Sequence, residues 1–275
     1  MAAEPVKSRW ADLGLRVATG LVLFVGIVLL IMLAPLAALA GLVALVAMLG
    51  MGELLRMTTA GRWGLAEFAA LGLAAALPLC ALLGGAGLAA GLLVALLASS
   101  IAAVLAGDDL DLAWDKMTRR FWDVAYCGGL LACVLPLAAL PGGRVLVIFC
   151  IISVAAADVG AYFAGHQFGR RKLAPRISPG KTIEGLIGGA LLSFAVGGAF
   201  AALWLADTIW WLGGLVGLVL GLVSVGGDLL ESSLKRQAGV KDSSGLLPGH
   251  GGVLDRIDGH VTAFPLFLLI RVIWW

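Results

Sequence analysis

Nine long apolar runs, separated by short charged or glycine-rich segments, restrict what this chain can fold into. They cover approximately Val17–Leu33, Leu36–Met51, Leu65–Leu83, Leu88–Leu105, Phe121–Leu140, Val145–Ala164, Leu186–Leu205, Ile209–Val225 and Val261–Trp275. A helix crossing the hydrocarbon core of a bilayer takes about 20 such residues. Several of these runs are shorter, and the first pair, divided by Pro35, and the last are the weakest of the set. Only 13% of the 275 residues are charged, against about a quarter in a soluble domain, and the mean hydropathy is +1.04. Lipid must therefore be the solvent over most of the surface, and backbone groups in lipid must be paired internally. The expected fold is all-α: a polytopic transmembrane helical bundle of about nine spans, forming one integral-membrane domain over residues 1–275. The first apolar run is followed by others, so Ala38–Ala40 reads as span interior rather than as a signal cleavage site.

The connections alternate between long and charged, and short and neutral. Of the 19 Lys and Arg, all but Arg144 and Arg271 fall at the N-terminus or in the segments 52–64, 107–120, 165–183 and 227–259. The positive-inside bias places those segments and the N-terminus in the cytoplasm. Trp10, Trp63, Trp114 and Trp122 flank the cytoplasmic ends, and Trp204, Trp210, Trp211, Trp274 and Trp275 the opposite ends, as an interfacial aromatic belt does. Gly189, Ser193 and Gly197 recur every four residues, as do Gly213, Gly217 and Gly221. Such rows allow close helix contact, although general Gly and Ala richness produces them as well. The four cysteines lack metal or disulfide spacing and read as packing residues. The acidic run Asp108, Asp109, Asp111 and Asp115 lacks the glycine turn and terminal Glu of a calcium loop and reads as a solvated cytoplasmic loop.

The densest charge lies between Gly227 and Gly259, where four Asp, one Glu and several Lys and Arg interrupt an apolar chain. Asp228, Glu231, Ser232 and Lys235 fall at i, i+3, i+4 and i+7, one face of a helix leaving the eighth span. Gly239 ends that helix. The glycine-rich turn Leu247–Gly252, with His250 and Gly251, lets backbone amides approach an anion. Asp255, Arg256 and Asp258 follow. Carboxylates on both sides of a basic loop suit a hard divalent cation such as Mg²⁺, which takes oxygen ligands and keeps company with phosphates. Zinc is disfavoured, since no Cys/His cluster exists. His250 reads either as a phosphate or proton-transfer group or as part of the turn.

Two further motifs lie upstream. Asp158, near the cytoplasmic end of an apolar run, is a functional candidate because a lone carboxylate there is costly; an ion pair with an Arg of the next loop is the alternative. Tyr162 shares its helix face at i+4, for a site or for interfacial packing. Ser178–Gly185 ends like a nucleotide-binding P-loop at Gly180-Lys181-Thr182, but Pro175 replaces the required first glycine and no P-loop results. A Pro179-Gly180 turn followed by Lys181 and Thr182 at a helix start still offers donors to phosphate, and Glu184 in the first turn can cap or bind metal.

The pattern from Ser232 to Asp258, S-x-x-K-R-x-x-x-x-K-D-x-x-G-x-x-x-P-G-H-G-G-x-x-D-R-x-D, resembles the signature of the phosphatidate cytidylyltransferases, the CDP-diacylglycerol synthases. The group Asp158, Ala161, Tyr162, Gly165 and the run Ser178-Pro179-x-Lys181-Thr182-x-Glu184-Gly185 resemble companion motifs. The likeness covers roughly 155–260, so residues 141–275 are the expected catalytic half and 1–140 the less diagnostic one. It implies that CTP and phosphatidic acid give CDP-diacylglycerol and pyrophosphate with Mg²⁺, beside which a monovalent cation such as K⁺ is plausible. It also implies a multi-pass homodimer of the bacterial inner membrane, with no nucleic-acid partner.

By that likeness the metal residues are Asp228, Asp255 and Asp258. Lys235, Arg236, Lys241 and Arg256 are expected on the triphosphate, and Ser178 and Lys181 on the lipid phosphate or pyrophosphate. Thr182, Glu231, Ser232, Asp242, His250 and Gly251, with Asp158 and Tyr162, complete the expected substrate site. A CTP-dependent lipid kinase would share the same metal logic, and a cation transporter using Asp158 and Asp228 is the non-enzymatic rival.

Overall fold

The computed structural model describes residues 25–59, 61–205, 208–246 and 251–274. A helical stretch over 25–33 is followed by α1 (Leu36–Thr59), α2 (Leu65–Ala81), α3 (Gly84–Leu105) and α4 (Leu110–Val124). A π-helical turn, Ala125–Leu130, joins α4 to α5 (Val134–Ala139), and α6 (Gly143–Phe168) comes next. Two short antiparallel strands, β1 (Lys172–Ala174) and β2 (Ser178–Thr182), precede α7 (Ile183–Trp204), α8 (Trp210–Gln237) and α9 (Leu254–Ile273).

Among the described residues, six helical segments are long and apolar enough to cross a membrane: α1, α3, the α4–α5 rod, α6, α7 and α8. The chain is thus nearly all-α and a multi-pass membrane protein. The expectation of nine spans is not reproduced by length and composition alone. At 17 residues α2 is short for a crossing, and most of Val17–Leu33 lies outside the described residues.

Three local expectations are corrected. First, the fold is not purely helical. Pro179 and Gly180 lie within β2, because the chain reverses earlier, where the Ile177 amide donates to the Ala174 carbonyl. Second, the acidic run is a helix start rather than a loop: Asp109 caps α4 by accepting from the Leu112 amide at 2.9 Å, and Asp108 pairs with Lys116 at 2.6 Å. Third, α1 continues eight residues past Met51, because Leu54 and Leu55 are buried on its inner face. It ends where the Thr58 and Thr59 hydroxyls fold back onto the Leu54 and Leu55 carbonyls, and Gly61, with φ of +77°, follows at the turn.

The glycine rows are a helix contact. A Cβ on Gly197 would press on the Gly213 carbonyl at 2.8 Å, one on Gly217 on the Ser193 carbonyl at 2.6 Å, and one on Gly221 on the Ser193 hydroxyl at 2.8 Å. These helices approach backbone to backbone, as small residues permit in lipid. Ser193 Oγ lies 2.8 Å from the Ser153 carbonyl and 2.6 Å from that of Gly217, tying α7 to both α6 and α8. At the other side of the bundle, Arg144 donates to the carbonyls of Ile31 and Met32. Phe149, on α6, packs against Phe200 and Phe267 at centroid distances of 5.5 and 5.4 Å, closing the core between α6, α7 and α9. Trp114, Trp122, Trp204, Trp210, Trp211 and Trp274 are all exposed, as interfacial residues are; Trp10 and Trp275 lie outside the described residues.

Candidate functional site

The site grows from the last three turns of α8. Up to Val225 this helix is apolar; beyond it Asp228, Glu231, Ser232 and Lys235 line one face, as their spacing requires. α9 crosses that face closely because position 227 is glycine. A Cβ there would collide with the Asp258 carbonyl and press on the Thr262 hydroxyl. The close crossing brings Asp258 to α8. One carboxylate oxygen from each of Asp228, Glu231 and Asp258 lies within 4.8 Å of the others. Glu231 is fully buried and the other two are half-buried.

Two lysines approach this triad from its edges. Lys181, at the end of β2, pairs with Asp228 at 2.5 Å, which joins two motifs nearly 50 residues apart in the chain. Lys235 lies between Glu231 at 2.5 Å and Asp255 at 2.7 Å. Ser232 Oγ donates to Asp228 at 3.2 Å. The metal set expected from the sequence was Asp228, Asp255 and Asp258; in the structure Glu231 joins Asp228 and Asp258 in the converging set, while Asp255 shares Lys235 with Glu231 and contacts the Glu231 carboxylate directly.

Asp255 is engaged instead with the loop before α9. Its carboxylate accepts from the Ser243 amide at 3.1 Å and the Gly252 amide at 2.8 Å, in addition to Lys235, and lies 2.9 Å from the Ser243 hydroxyl, whose one proton it shares with Glu53. Burial would push its carboxyl up. The Lys235 ammonium, the Gly252 amide, the hydrogen bond with the Glu231 carboxyl and the Ser243 hydroxyl outweigh that and hold it well below the usual carboxylate range.

A cavity of about 530 Å³ opens beside the triad, walled by Asp158, Tyr162, His166, Lys181, Thr182 and Asp228 among others. Asp158 and Tyr162, singled out from the sequence, thus face the same space as Asp228. Tyr162 and His166 lie parallel at 6.1 Å and 5°, an exposed aromatic step at the rim. Thr182 accepts from the Gly185 amide at 3.1 Å and caps α7. Glu184 accepts from the Arg170 and Arg171 amides and holds the hairpin's entry. Ser178 opens β2. Arg236 donates to the carbonyls of Ile177 and Val240, bracing the hairpin turn against the loop after α8. Lys241, Asp242 and Arg256 are exposed and Gly251 is half-buried, while His250 lies outside the described residues.

One residue escaped the sequence reading. Glu53, on the extended end of α1, is 3% exposed. It accepts hydrogen bonds from the Ser244 hydroxyl (2.6 Å), the Val253 amide (2.9 Å) and the Leu254 amide (2.8 Å), and it shares the single proton of the Ser243 hydroxyl (3.0 Å) with Asp255. The available signal was the same one that exposed Asp158, an acid adjoining an apolar run. The nearby Arg56 and Arg62 make its segment read as a charged connection instead.

The sequence profile of the cytidylyltransferase family matches residues 14–274. A phosphatidate cytidylyltransferase of Haemophilus influenzae is 47% identical over 136 residues, covering 46% of this chain and 45% of that protein. One of Pseudomonas aeruginosa is 50% identical over 123 residues, 44% of this chain and 45% of its own length. The uncharacterized protein YnbB of Escherichia coli is 42% identical over 138 residues, 49% and 45% of the two lengths. The chain thus spans about half the length of the curated relatives it matches. The family match runs over nearly the whole sequence, and the chain belongs to the cytidylyltransferase family.

Proposed function

We propose that this protein transfers CMP from CTP to phosphatidic acid, yielding CDP-diacylglycerol and pyrophosphate. The observation that carries the reading is the meeting of the Asp228–Glu231–Asp258 triad with a cavity bearing Lys181, at the polar end of membrane helices. The two relatives named as phosphatidate cytidylyltransferases support the choice of substrates.

The acceptor brings its own nucleophile, since a phosphate monoester is already an anionic oxygen. No Ser, Cys or His nucleophile is required. One oxygen of the lipid phosphate attacks the α-phosphorus of CTP. The bond from that phosphorus to the bridging oxygen of the β-phosphate breaks, and pyrophosphate leaves with the electron pair. The main obstacle is repulsion between two polyanions.

Three carboxylates drawn together from two helices, all hard oxygen donors, fit Mg²⁺. Bound there, Mg²⁺ would supply charge neutralisation at the reacting phosphates. Asp228, Glu231 and Asp258 would hold it. Lys181 sits where it can pair with a phosphate in place of Asp228, and Lys235 keeps Glu231 and Asp255 in register. Asp158, Tyr162, Thr182 and Ser178 line or border the substrate space, and the exposed Arg256 and Lys241 are placed to draw in the triphosphate. Asp242, His250 and Gly251 are assigned to substrate contact, as the motif they belong to implies. We place this site on the cytoplasmic side of a bacterial inner membrane, in a homodimer of nine-span protomers, with a monovalent cation such as K⁺ beside the Mg²⁺.

Purified protein in detergent, given CTP, phosphatidic acid and Mg²⁺, is expected to form CDP-diacylglycerol and pyrophosphate in equal amounts. Release of CDP with transfer of the γ-phosphate would instead make it a lipid kinase.

A further inference from the structure

We infer that Glu53, in the N-terminal half of the chain, is a positioning residue for the Asp228–Glu231–Asp258 site, acting through Ser243, Ser244 and residues 252–254 at the start of α9. The inference rests on the functional reading of that triad given above.

The geometry is that of a helix cap supplied from another helix. Each Glu53 oxygen faces one hydroxyl and one amide. Oε1 accepts from the Ser244 hydroxyl and the Val253 amide, Oε2 from the Leu254 amide and, shared with Asp255, the Ser243 hydroxyl. The Val253 and Leu254 amides belong to the start of α9, whose early N–H groups have no intrahelical acceptor. α9 lacks a side-chain cap of its own, so Glu53 does what a local Asp or Ser does elsewhere. The negative charge also sits at the positive end of the helix dipole.

Other features tie this cap to the triad. Ser243 Oγ lies 3.0 Å from Glu53 and 2.9 Å from Asp255, and Asp255 holds Lys235, which holds Glu231. Gly252 is confined between the two acids: a Cβ there would collide with Ser243 Oγ and press on Glu53 Oε2 at 2.5 Å. The fully buried Leu254 packs over Gly50, one turn before Glu53 on α1. Asp258 follows Leu254 by one helical turn, so whatever fixes the height and rotation of α9 at Leu254 fixes where Asp258 meets Asp228. Glu53 touches none of the converging oxygens itself and reaches the site only by holding α9.

The test uses the full chain in detergent as wild type, E53Q and S244A. The Gln keeps one acceptor but turns an NH2 group toward a hydroxyl and an amide donor. Hydrogen exchange over residues 251–256 is expected to speed up in E53Q while the α7–α8 contact keeps its protection. Mn²⁺ binding, followed by electron paramagnetic resonance without turnover, is expected to weaken about 10- to 100-fold, the usual loss when a residue supporting metal ligands is changed. CMP transfer is expected to fall by a similar factor. A purely structural role would lower the number of Mn²⁺ sites and leave their Kd alone, and that result, or unchanged exchange, overturns the inference. Should E53Q not fold, S244A must show the same changes in smaller degree; wild-type exchange and Mn²⁺ affinity in S244A would then overturn it. If the wild type binds Mn²⁺ but transfers no CMP, the proposed reaction fails, while the exchange and Mn²⁺ results still decide the role of Glu53.

Discussion

Two sets of carboxylates stand at the same end of the bundle, and the fold treats them in opposite ways. Glu53 and Asp255 have each oxygen met by at least one amide, hydroxyl or ammonium donor. Asp228, Glu231 and Asp258 turn oxygens toward one another. Two unit charges 4.8 Å apart repel by about 3 kcal/mol at the effective dielectric of a protein edge, and Lys181 and Lys235 offset only part of that from the flanks. The first set is complete within the protein. The second is complete only when a positive charge arrives from outside. A buried acid on its own therefore says little about function; the source of its counter-charge separates a brace from a site.

The strongest way to break this contrast is to neutralise one member of each set. D258N should lower CMP transfer by at least about 10²- to 10³-fold, the range lost when one charge-stabilising group is removed from a reacting centre. It should leave the metal-free protein as thermally stable as the wild type or more so, since a repulsion has gone. D255N should lower stability by about 2 kcal/mol or more, because it leaves Lys235 and buried loop donors short of an acceptor. Differential scanning fluorimetry without divalent ions reads both signs. If both variants destabilise equally, the distinction between the sets is wrong. Chelation gives the companion result: added Mg²⁺ should raise the unfolding temperature of the wild type and not that of D258N.

A smaller perturbation acts between the sets. G252A adds a single methyl where Glu53 and Ser243 already meet. Overpacking of this kind costs about 1–3 kcal/mol, and the strain should appear as lost CMP transfer more than as unfolding, because the loop yields before the core does. Wild-type turnover in G252A would show that the loop does not set the position of α9.

The same contrast explains what could be read in advance. The multi-pass helical fold was legible because lipid imposes one rule along the whole chain, and each apolar run beyond residue 25 lies largely on helix. Asp228, Glu231, Ser232 and Lys235 were legible as a face because helical spacing alone decides it. Which of Asp255 and Asp258 turns toward Asp228 was not, since both sit in the first turns of α9 and the choice depends on that helix's rotation. The rotation is set at Glu53, 200 residues earlier than Val253, and no local pattern carries such information. The hairpin was missed for a related reason. Pro179-Gly180 has turn chemistry, but strand pairing from Lys172 to Thr182 moved the reversal to residues before it.

The weakest expected effect sharpens the contrast by offering a carboxylate of a third kind. Asp109 caps α4 through a single bond to the Leu112 amide, exposed and far along the chain from both sets. Its one acceptor serves one amide, and water takes over readily when it is lost. D109A should therefore cost about 1 kcal/mol, as exposed helix caps do, and leave CMP transfer and Mn²⁺ affinity at wild-type values. An effect on Mn²⁺ affinity would mean that charge anywhere on this face tunes the site through the general field, and the short-range account of Glu53 and Asp255 would lose its force. An effect confined to stability would leave the division among these acids to contact geometry.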